Sequence, residues 1–561
     1  MRAASRSIAL FAGLVGLVLA PSATHAVEVS IGGEVIATVP PRFMGLHYNG
    51  PTHRAVDPDT GQLRDFASAH ADPAASAALV DAGVGLSRVF VDAPQVNPAP
   101  GVYDWADIDT AVNEIVATGM TPMLTLHQRD GAWHVGDVDT PWWDDPTGLA
   151  AWTDLAATLA TRYADRATYF ELLNEPNHLH PTRDSYMGLD RSAELFVAGA
   201  SAIRAAAPDA KIGGPASFGS WEPATWAKRV LNLPGGEAQL DFVSYHVYAT
   251  GSATATDADL FERARWWETV PQAIRTELEA NTTKPIELAL TEFNASSVFE
   301  LDGELWTDPR NVDDIGGLLA ALGWLYSARG GADIAVRFGT TGGFGLIRWP
   351  PDYELRPAYH AVRLLHEVAG LVPGAELLST TIAGEASGLE AFALRDDEGE
   401  RFVLINTDDT ATHTLDLVVG APTSERSLER YRYDAGRTAD ALTPLSLETT
   451  VDGELTIDVP PRSLVVLAAS NACRGCGDYN ADGAVTDADY AVWRDQFGLT
   501  GDLSADGNAD GVVNAADYTL WRDALSTPVS AVPEPTALWI ALVGATAVCG
   551  NARVRSRRAA A

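Results

Sequence analysis

Cysteine is almost missing from this sequence: three occur in 561 residues, and none lies between positions 27 and 472. That excludes a disulfide scaffold or a cysteine-rich zinc cluster for the whole stretch, whose stability must come from packing. Basic residues are also scarce, 39 against 75 acidic ones, for a formal charge of −36. A chain so charged repels nucleic acid, anionic membranes and acidic polymers. No glycine-rich dinucleotide fingerprint links a strand to a helix. Long apolar runs are confined to the two ends, and both fall short of the roughly 20 residues that span a bilayer.

What is present divides the chain into modules. Arg2 and Arg6 precede an apolar run from Ile8 to Ala20 and small residues ending at Ala26. This pattern predicts a secretory signal peptide over 1–26, so the mature protein leaves the cytoplasm. Cys473 and Cys476 form a Cys-x-x-Cys at a module junction, which in an oxidising compartment reads as a small disulfide loop.

From about residue 40 to 340, short β-rich runs alternate with alanine-rich stretches of helical period, the pattern of an α/β fold with a parallel sheet. Eight strands are expected, at 43–48, 86–91, 121–127, 169–173, 211–215, 242–247, 286–291 and 334–339. Eight such units over roughly 300 residues predict a (β/α)8 barrel rather than an open doubly wound sheet. The barrel domain is placed at 27–370. From 371 to 470 the chain reads as short strands and turns, a β-sandwich to which VEVSIGGEVIATV (27–39) could add an edge strand.

In such a barrel, catalytic side chains stand at the C-terminal ends of strands. The expected strand ends carry Arg88, His127, Asn174, Glu175, His246, Tyr248 and Glu292, and Trp349 follows the eighth. Glycosidic bond hydrolysis needs one carboxyl group to protonate the leaving oxygen and a second to meet the developing oxocarbenium ion. Glu175 and Glu292 can supply both. Arg88 offers positive charge and Tyr248 a hydrogen bond to keep Glu292 ionised, while Asn174 can bind a sugar 2-hydroxyl. Trp133, Trp142, Trp143 and Trp221 form a candidate cleft wall for stacking on sugar rings.

The segments FELLNEPN (170–177), FVSYHVY (242–248) and LALTEFNAS (288–296) resemble the strand-four, strand-six and strand-seven signatures of clan A glycoside hydrolases. GVYDWADIDTAVNEIVATGMTPMLTL (101–126) is similar to the second helix and third strand of glycoside hydrolase family 39, the family of β-xylosidases and α-iduronidases. The resemblance implies a retaining hydrolase acting on poly- or oligosaccharides without a catalytic cofactor. It assigns Glu175 as acid/base and Glu292 as nucleophile. Arg88, His127, Asn174, His246, Tyr248 and Trp349 would be substrate-binding, with Trp349 a hydrophobic floor. A tryptophan often follows the strand-seven glutamate, where this chain has Phe293. An endo-acting β-glucanase or β-mannanase of a related family shares the same chemistry, because loops set specificity. A non-catalytic carbohydrate-binding surface protein is the alternative of a different class.

Residues 471–528 contain a repeat. Asp478, Asn480, Asp482, Thr486 and Asp489 stand in calcium-loop register, and Asp506, Asn508, Asp510, Asn514 and Asp517 repeat it, with Gly483 and Gly511 at the sharp turns. Two structural Ca2+ sites are expected. The duplicated loop-helix resembles a dockerin, which implies a cohesin-like partner. Residues 529–561, with Val532-Pro533-Glu534-Pro535, an apolar run from Ala537 to Val548 and arginines from Arg553 to Arg558, resemble the PEP-CTERM sorting signal. That resemblance implies cutting by a sorting protease at the membrane and release to the cell surface or beyond.

Overall fold

The chain enters through β1 (Val27–Thr38) and then builds an eight-stranded parallel barrel. Its strands are β2 (Met44–His47), β3 (Leu86–Asp92), β4 (Thr121–His127), β5 (Tyr169–Leu172), β6 (Lys211–Phe218), β7 (Phe242–Thr250) and β8 (Glu287–Ser296). After a short hairpin of β9 (Glu300–Leu301) and β10 (Glu304–Leu305), β11 (Ile334–Arg337) pairs with both β8 and β2 and closes the ring. The computed structural model describes residues 27–50, 68–99, 101–128, 142–178, 187–219, 222–301, 304–384, 386–396, 398–419, 426–469, 477, 479, 485–500, 504–508 and 512–526. The expected signal peptide, Trp133, Trp221, Cys473, Cys476, Asp478, Asn480, Asp482, Asp510 and the tail 529–561 lie outside them. Among the described residues, no helix is long and apolar enough to cross a membrane.

Strand alternation explains how the barrel positions a site. Leu86, Met123, Tyr169, Phe242, Ala289, Ile334 and Val336 form a separate apolar cluster inside the barrel, near the strands' N-terminal ends. Side chains two positions further along a strand share the same face. On that face stand Arg88, Thr125, Glu171 and Ser244, all fully buried. The interior thus turns from apolar to polar toward the C-terminal mouth. The opposite face packs on the surrounding helices, as where Phe293 meets Trp267 and Trp324 at ring distances of 5.5 and 5.2 Å.

The second domain is β-rich, as expected, and its strands enclose a core of their own. It is one continuous nine-stranded sheet made with β12 (Glu376–Ala383), β13 (Leu389–Asp396), β14 (Gly399–Asn406), β15 (His413–Val419), β16 (Ser427–Tyr433), β17 (Ser446–Thr449), β18 (Glu454–Val459) and β19 (Ser463–Ala469). β1, placed above within the barrel range 27–370 with an edge role in the sandwich left open, is an interior strand of this sheet. It pairs antiparallel with β12 and parallel with β15. The central strands read as unbroken apolar runs because both faces are buried. Phe402, Leu404, Val465 and Leu467 face the sheet's own core, while Val403, Ile405, Leu464 and Val466 join the core shared with the barrel.

One helix, Asp314–Arg329, is buried nearly all round between these layers. An apolar helix without a polar face belongs in such a place. Its Gly317 leaves room for Tyr433, whose hydroxyl donates to Asp314 O at 3.2 Å. Phe392 of the sheet meets Tyr326 at 5.5 Å and carries Arg329 above its ring at 4.5 Å.

Residues 470–561 form a separate unit. Its helices Asp487–Gln496 and Ala515–Ser526 cross-brace at equivalent repeat positions: Trp493 Nε1 donates to Asn514 O at 2.9 Å, and Trp521 Nε1 to Thr486 O at 2.8 Å.

A Cβ on Gly317 would stand 2.1 Å from the Tyr433 hydroxyl. Gly317→Ala should therefore destabilise the barrel and sheet by about 1–3 kcal/mol. Tyr433→Phe should recover part of that loss. Urea unfolding of the two single variants and the double variant measures the coupling.

Candidate active site

Glu175 sits on a turn that the backbone does not favour. β5 ends at Leu172, and Leu173 (φ 75°) and Glu175 (φ 48°) both adopt left-handed conformations, as does Ala216 (φ 53°) opposite. Such residues cost on the order of 1–3 kcal/mol each and persist only where their surroundings over-determine them. Here the restraints are visible. Glu175 N donates to Ala216 O at 2.9 Å. The Gln128 side chain clamps Asn174, accepting from its N and donating to its O, both at 2.8 Å.

Glu292 reaches the barrel mouth through a register shift. In β8, simple alternation would put Thr291 on the same face as Ala289 and turn Glu292 outward. The ladder slips instead, pairing Tyr245 with Leu290 but His246 with Glu292. The extra residue re-aims the glutamate, a recurrent use of β-bulges.

Glu292 and the turn that carries Glu175 meet over one arginine. Arg88, fully buried, donates from Nε to Glu171 at 2.7 Å, from Nη1 to Glu292 at 2.8 Å and from Nη2 to Asn174 Oδ1 at 2.8 Å. Tyr248 donates to the other Glu292 oxygen at 2.8 Å. His246 Nδ1 lies 2.7 Å from Glu175 and 3.6 Å from Glu292. One oxygen of Glu175, one of Glu292 and a His246 nitrogen all fall within 4.8 Å of one another. Arg88 and Tyr248 already donate to both oxygens of Glu292, and the guanidinium charge so close by opposes a cation in this grouping.

Charge in this cluster is governed by burial and then by its neighbours. Burial opposes the Arg88 charge, but Glu171 and Glu292 outweigh it and raise the guanidinium above its ordinary value. Burial would raise Glu171, yet Arg88, Thr125 and His246 reverse the effect and hold it low. Tyr248 is pushed well up, by burial and then by Glu292, so it serves as a donor. Burial lowers His246 from 6.5 to about 4, leaving a neutral ring at neutral pH.

His127 stands at the same mouth, its Nδ1 2.9 Å from Asp92. Trp349 lies well beyond the end of the eighth strand, against Gly342, where a Cβ would stand 2.3 Å from its ring. For Trp142 and Trp143, the two described members of the expected tryptophan wall, the reading is corrected. Trp142 and Trp143 are only 3% and 6% exposed and pack in the core, Trp142 at 5.7 Å from Trp152, because these large apolar rings fill the layer between helices. Sequence reasoning missed Glu171, Thr125, Gln128 and Asp92. A charged residue on the inward face of an otherwise apolar strand was the available signal for Glu171.

Because the unfolded chain protonates His246 near 6.5 and the folded one only near 4, its contribution to stability is present above about 6.5 and is lost as pH falls through about 4. His246→Asn should show a shallower fall in melting temperature across that window, read by thermal unfolding at a series of pH values.

Residues 89–302, which include both glutamates, match the model of Glycosyl hydrolases family 39. No curated protein matches the sequence. Among solved structures, the chain is similar to a GH51 arabinofuranosidase from Xanthomonas axonopodis pv. citri, with 15% identity, a TM-score of 0.57, and 79% of this chain and 99% of that one covered. A bifunctional glucanase-xylanase from a metagenome library gives 15% identity and a TM-score of 0.55 over the same shares. A GH30 endoxylanase from Clostridium papyrosolvens gives 13% and 0.53, again covering 79% of this chain and 99% of that one. These likenesses establish the shared fold of barrel and β-rich domain. With a glycosyl hydrolase domain matched across the strands that carry the paired glutamates, this chain is a glycosidase.

Proposed function

We propose that the protein is a secreted, retaining glycoside hydrolase with β-xylosidase-like action on poly- or oligosaccharides. The observation that carries this reading is the spacing of Glu175 and Glu292, with one oxygen of each within 4.8 Å of the other. Carboxyl groups in retaining enzymes stand about 5–5.5 Å apart, against roughly 6.5–9.5 Å in inverting ones. In the first step a Glu292 oxygen bonds to the anomeric carbon, the bond to the leaving oxygen breaks, and that oxygen takes the Glu175 proton. In the second, Glu175 takes a proton from water, the water oxygen bonds to the anomeric carbon, and Glu292 departs as carboxylate.

The surrounding residues suit these steps. Arg88 and Tyr248 hold both Glu292 oxygens and orient them. With its Oδ1 engaged by Arg88, Asn174 can present its amide nitrogen to a sugar 2-hydroxyl, a contact that strengthens in the transition state. His127 and His246 line the same mouth, and Trp349 is retained as a candidate aromatic contact. Neighbours named for action on xylan and arabinofuranosides support a pentose-containing substrate. A neighbour named a glucanase-xylanase keeps endo-acting β-glucan hydrolysis as the second reading.

The remaining modules belong to the same proposal. The repeat unit would bind two structural Ca2+ ions and attach the enzyme to a cohesin-like scaffold. Among the donors that are described, Asp489 and Asp517 are fully buried at equivalent positions and Asp506 nearly so, which supports the reading. Asp489 accepts from Tyr479 N and Thr486 N, both at 2.7 Å, and Asp517 from Asn508 N and Asn514 N at 3.1 and 2.7 Å. These bonds draw each loop around a carboxylate, as hard cations require. The signal peptide and the sorting tail would deliver the protein to the cell surface or beyond.

Aryl β-xylosides, β-glucosides, β-mannosides and α-arabinofuranosides, with intact xylans and glucans, test the chemistry. Glu175→Gln should lose about 100- to 10,000-fold in turnover of the accepted substrate, and Glu292→Gln should be at least as damaged. Activity persisting in Glu292→Gln would overturn the mechanism. For the repeat unit, chelation should open residues 473–527 of the full chain to proteolysis while the barrel stays resistant, and excess Ca2+ should restore protection.

A further inference from the structure

Beneath the catalytic pair lies a third carboxylate that the double-displacement steps do not use. Glu171 comes from β5, four residues before Glu175, and faces the barrel interior with no solvent exposure. Its Oε2 accepts from Arg88 Nε at 2.7 Å and from Thr125 Oγ1 at 2.7 Å. The same guanidinium reaches Glu292 and Asn174. One buried cation therefore serves two carboxylates, one above it and one below.

We propose that Glu171 is a positioning residue: it fixes the Arg88 fork and balances its charge, so that Arg88 orients Glu292 without quenching it as a nucleophile. This rests on Glu292 being the nucleophile. When Glu292 bonds to the anomeric carbon and the leaving oxygen departs with the Glu175 proton, the carboxylate becomes a neutral ester. Arg88 then keeps Glu171 as counter-ion and remains a paired buried charge throughout. Without the Glu171 charge, Arg88 would bind Glu292 too strongly in the free enzyme and stand alone in the glycosyl-enzyme. An uncompensated buried charge is strongly unfavourable. The first step would slow, and the second, which returns the Glu292 carboxylate, would not.

The titratable groups around Glu292 are Arg88 from β3, Glu175 and Glu171 from β5 and its end, and His246 and Tyr248 from β7. Asp92 and His127 form a further pair at the mouth. Glu171→Gln removes one negative charge at nearly constant shape. With that charge gone, Arg88 should favour the ionised form of the Glu292 carboxyl more strongly than in wild type.

The test follows 13C-labelled glutamate carboxyls of the full chain by NMR titration, with the Glu292 signal assigned by its loss in Glu292→Gln. In parallel, kcat/KM is measured against pH on the aryl glycoside that wild type accepts. The expected result is a Glu292 titration and acid limb moved downward in Glu171→Gln, with kcat/KM lowered about tenfold. Glu171→Asp, which keeps the charge, should restore most of the titration. An unchanged Glu292 titration in Glu171→Gln, or equal shifts in the Gln and Asp variants, overturns the proposal. The NMR titration needs no turnover, so it is independent of whether Glu292→Gln proves active, the result that would sink the nucleophile assignment itself.

Discussion

The interior of this barrel is organised around one buried cation. Arg88 has no exposure and divides its donors among Glu171, Glu292 and Asn174. Removing a guanidinium from water costs several kcal/mol, which only well-formed partners can offset. Those partners come from β5, β8 and the turn after β5, so the ion cluster also fixes how three segments meet. The apolar layer of Leu86, Met123, Tyr169 and Phe242 below it keeps water from the underside. Every polar contact at the mouth stands on that dry floor.

Orientation is secured by local distortions that a regular barrel would not contain. Glu175 lies in a left-handed turn held by Ala216 and by the Gln128 clamp on its neighbour. Glu292 is turned inward by the slip in the β7–β8 ladder. Both departures carry a conformational cost, and the folded barrel and its attached sheet supply the stability to hold them. The sheet contributes through a second apolar face that it shares with the barrel.

Much of the architecture was legible because alternation and length are written locally. The runs at 121–127 and 169–173 announced β4 and β5 to within a residue, and polar side chains at their ends marked the mouth. Glu175 and Glu292 were legible through Asn-Glu-Pro and Thr-Glu at strand ends, together with the family resemblance. What stayed hidden depends on tertiary geometry. Alternation alone would point Glu292 away from His246, since a bulge leaves no composition signal. Trp142 and Trp143 looked like ligand platforms because aromatic clusters serve sites and cores alike, and packing against Trp152 decides the matter. β1 gave no sign of being an interior strand, because its partners β12 and β15 lie more than three hundred residues away. Glu171 was passed over for its place mid-strand, although its inward position made it the counter-ion of the central arginine.

The central claim is that Glu292 attacks the anomeric carbon while Arg88 and Tyr248 hold it. The most direct measurement is mass spectrometry of the protein after incubation with 2,4-dinitrophenyl 2-deoxy-2-fluoro-β-xyloside and the matching fluoro-glucoside and fluoro-arabinofuranoside. The account predicts a single covalent fluoroglycosyl adduct from at least one reagent, on the peptide containing Glu292. An adduct on another carboxylate, or turnover of the matching unfluorinated glycoside with inversion at the anomeric centre, would contradict it.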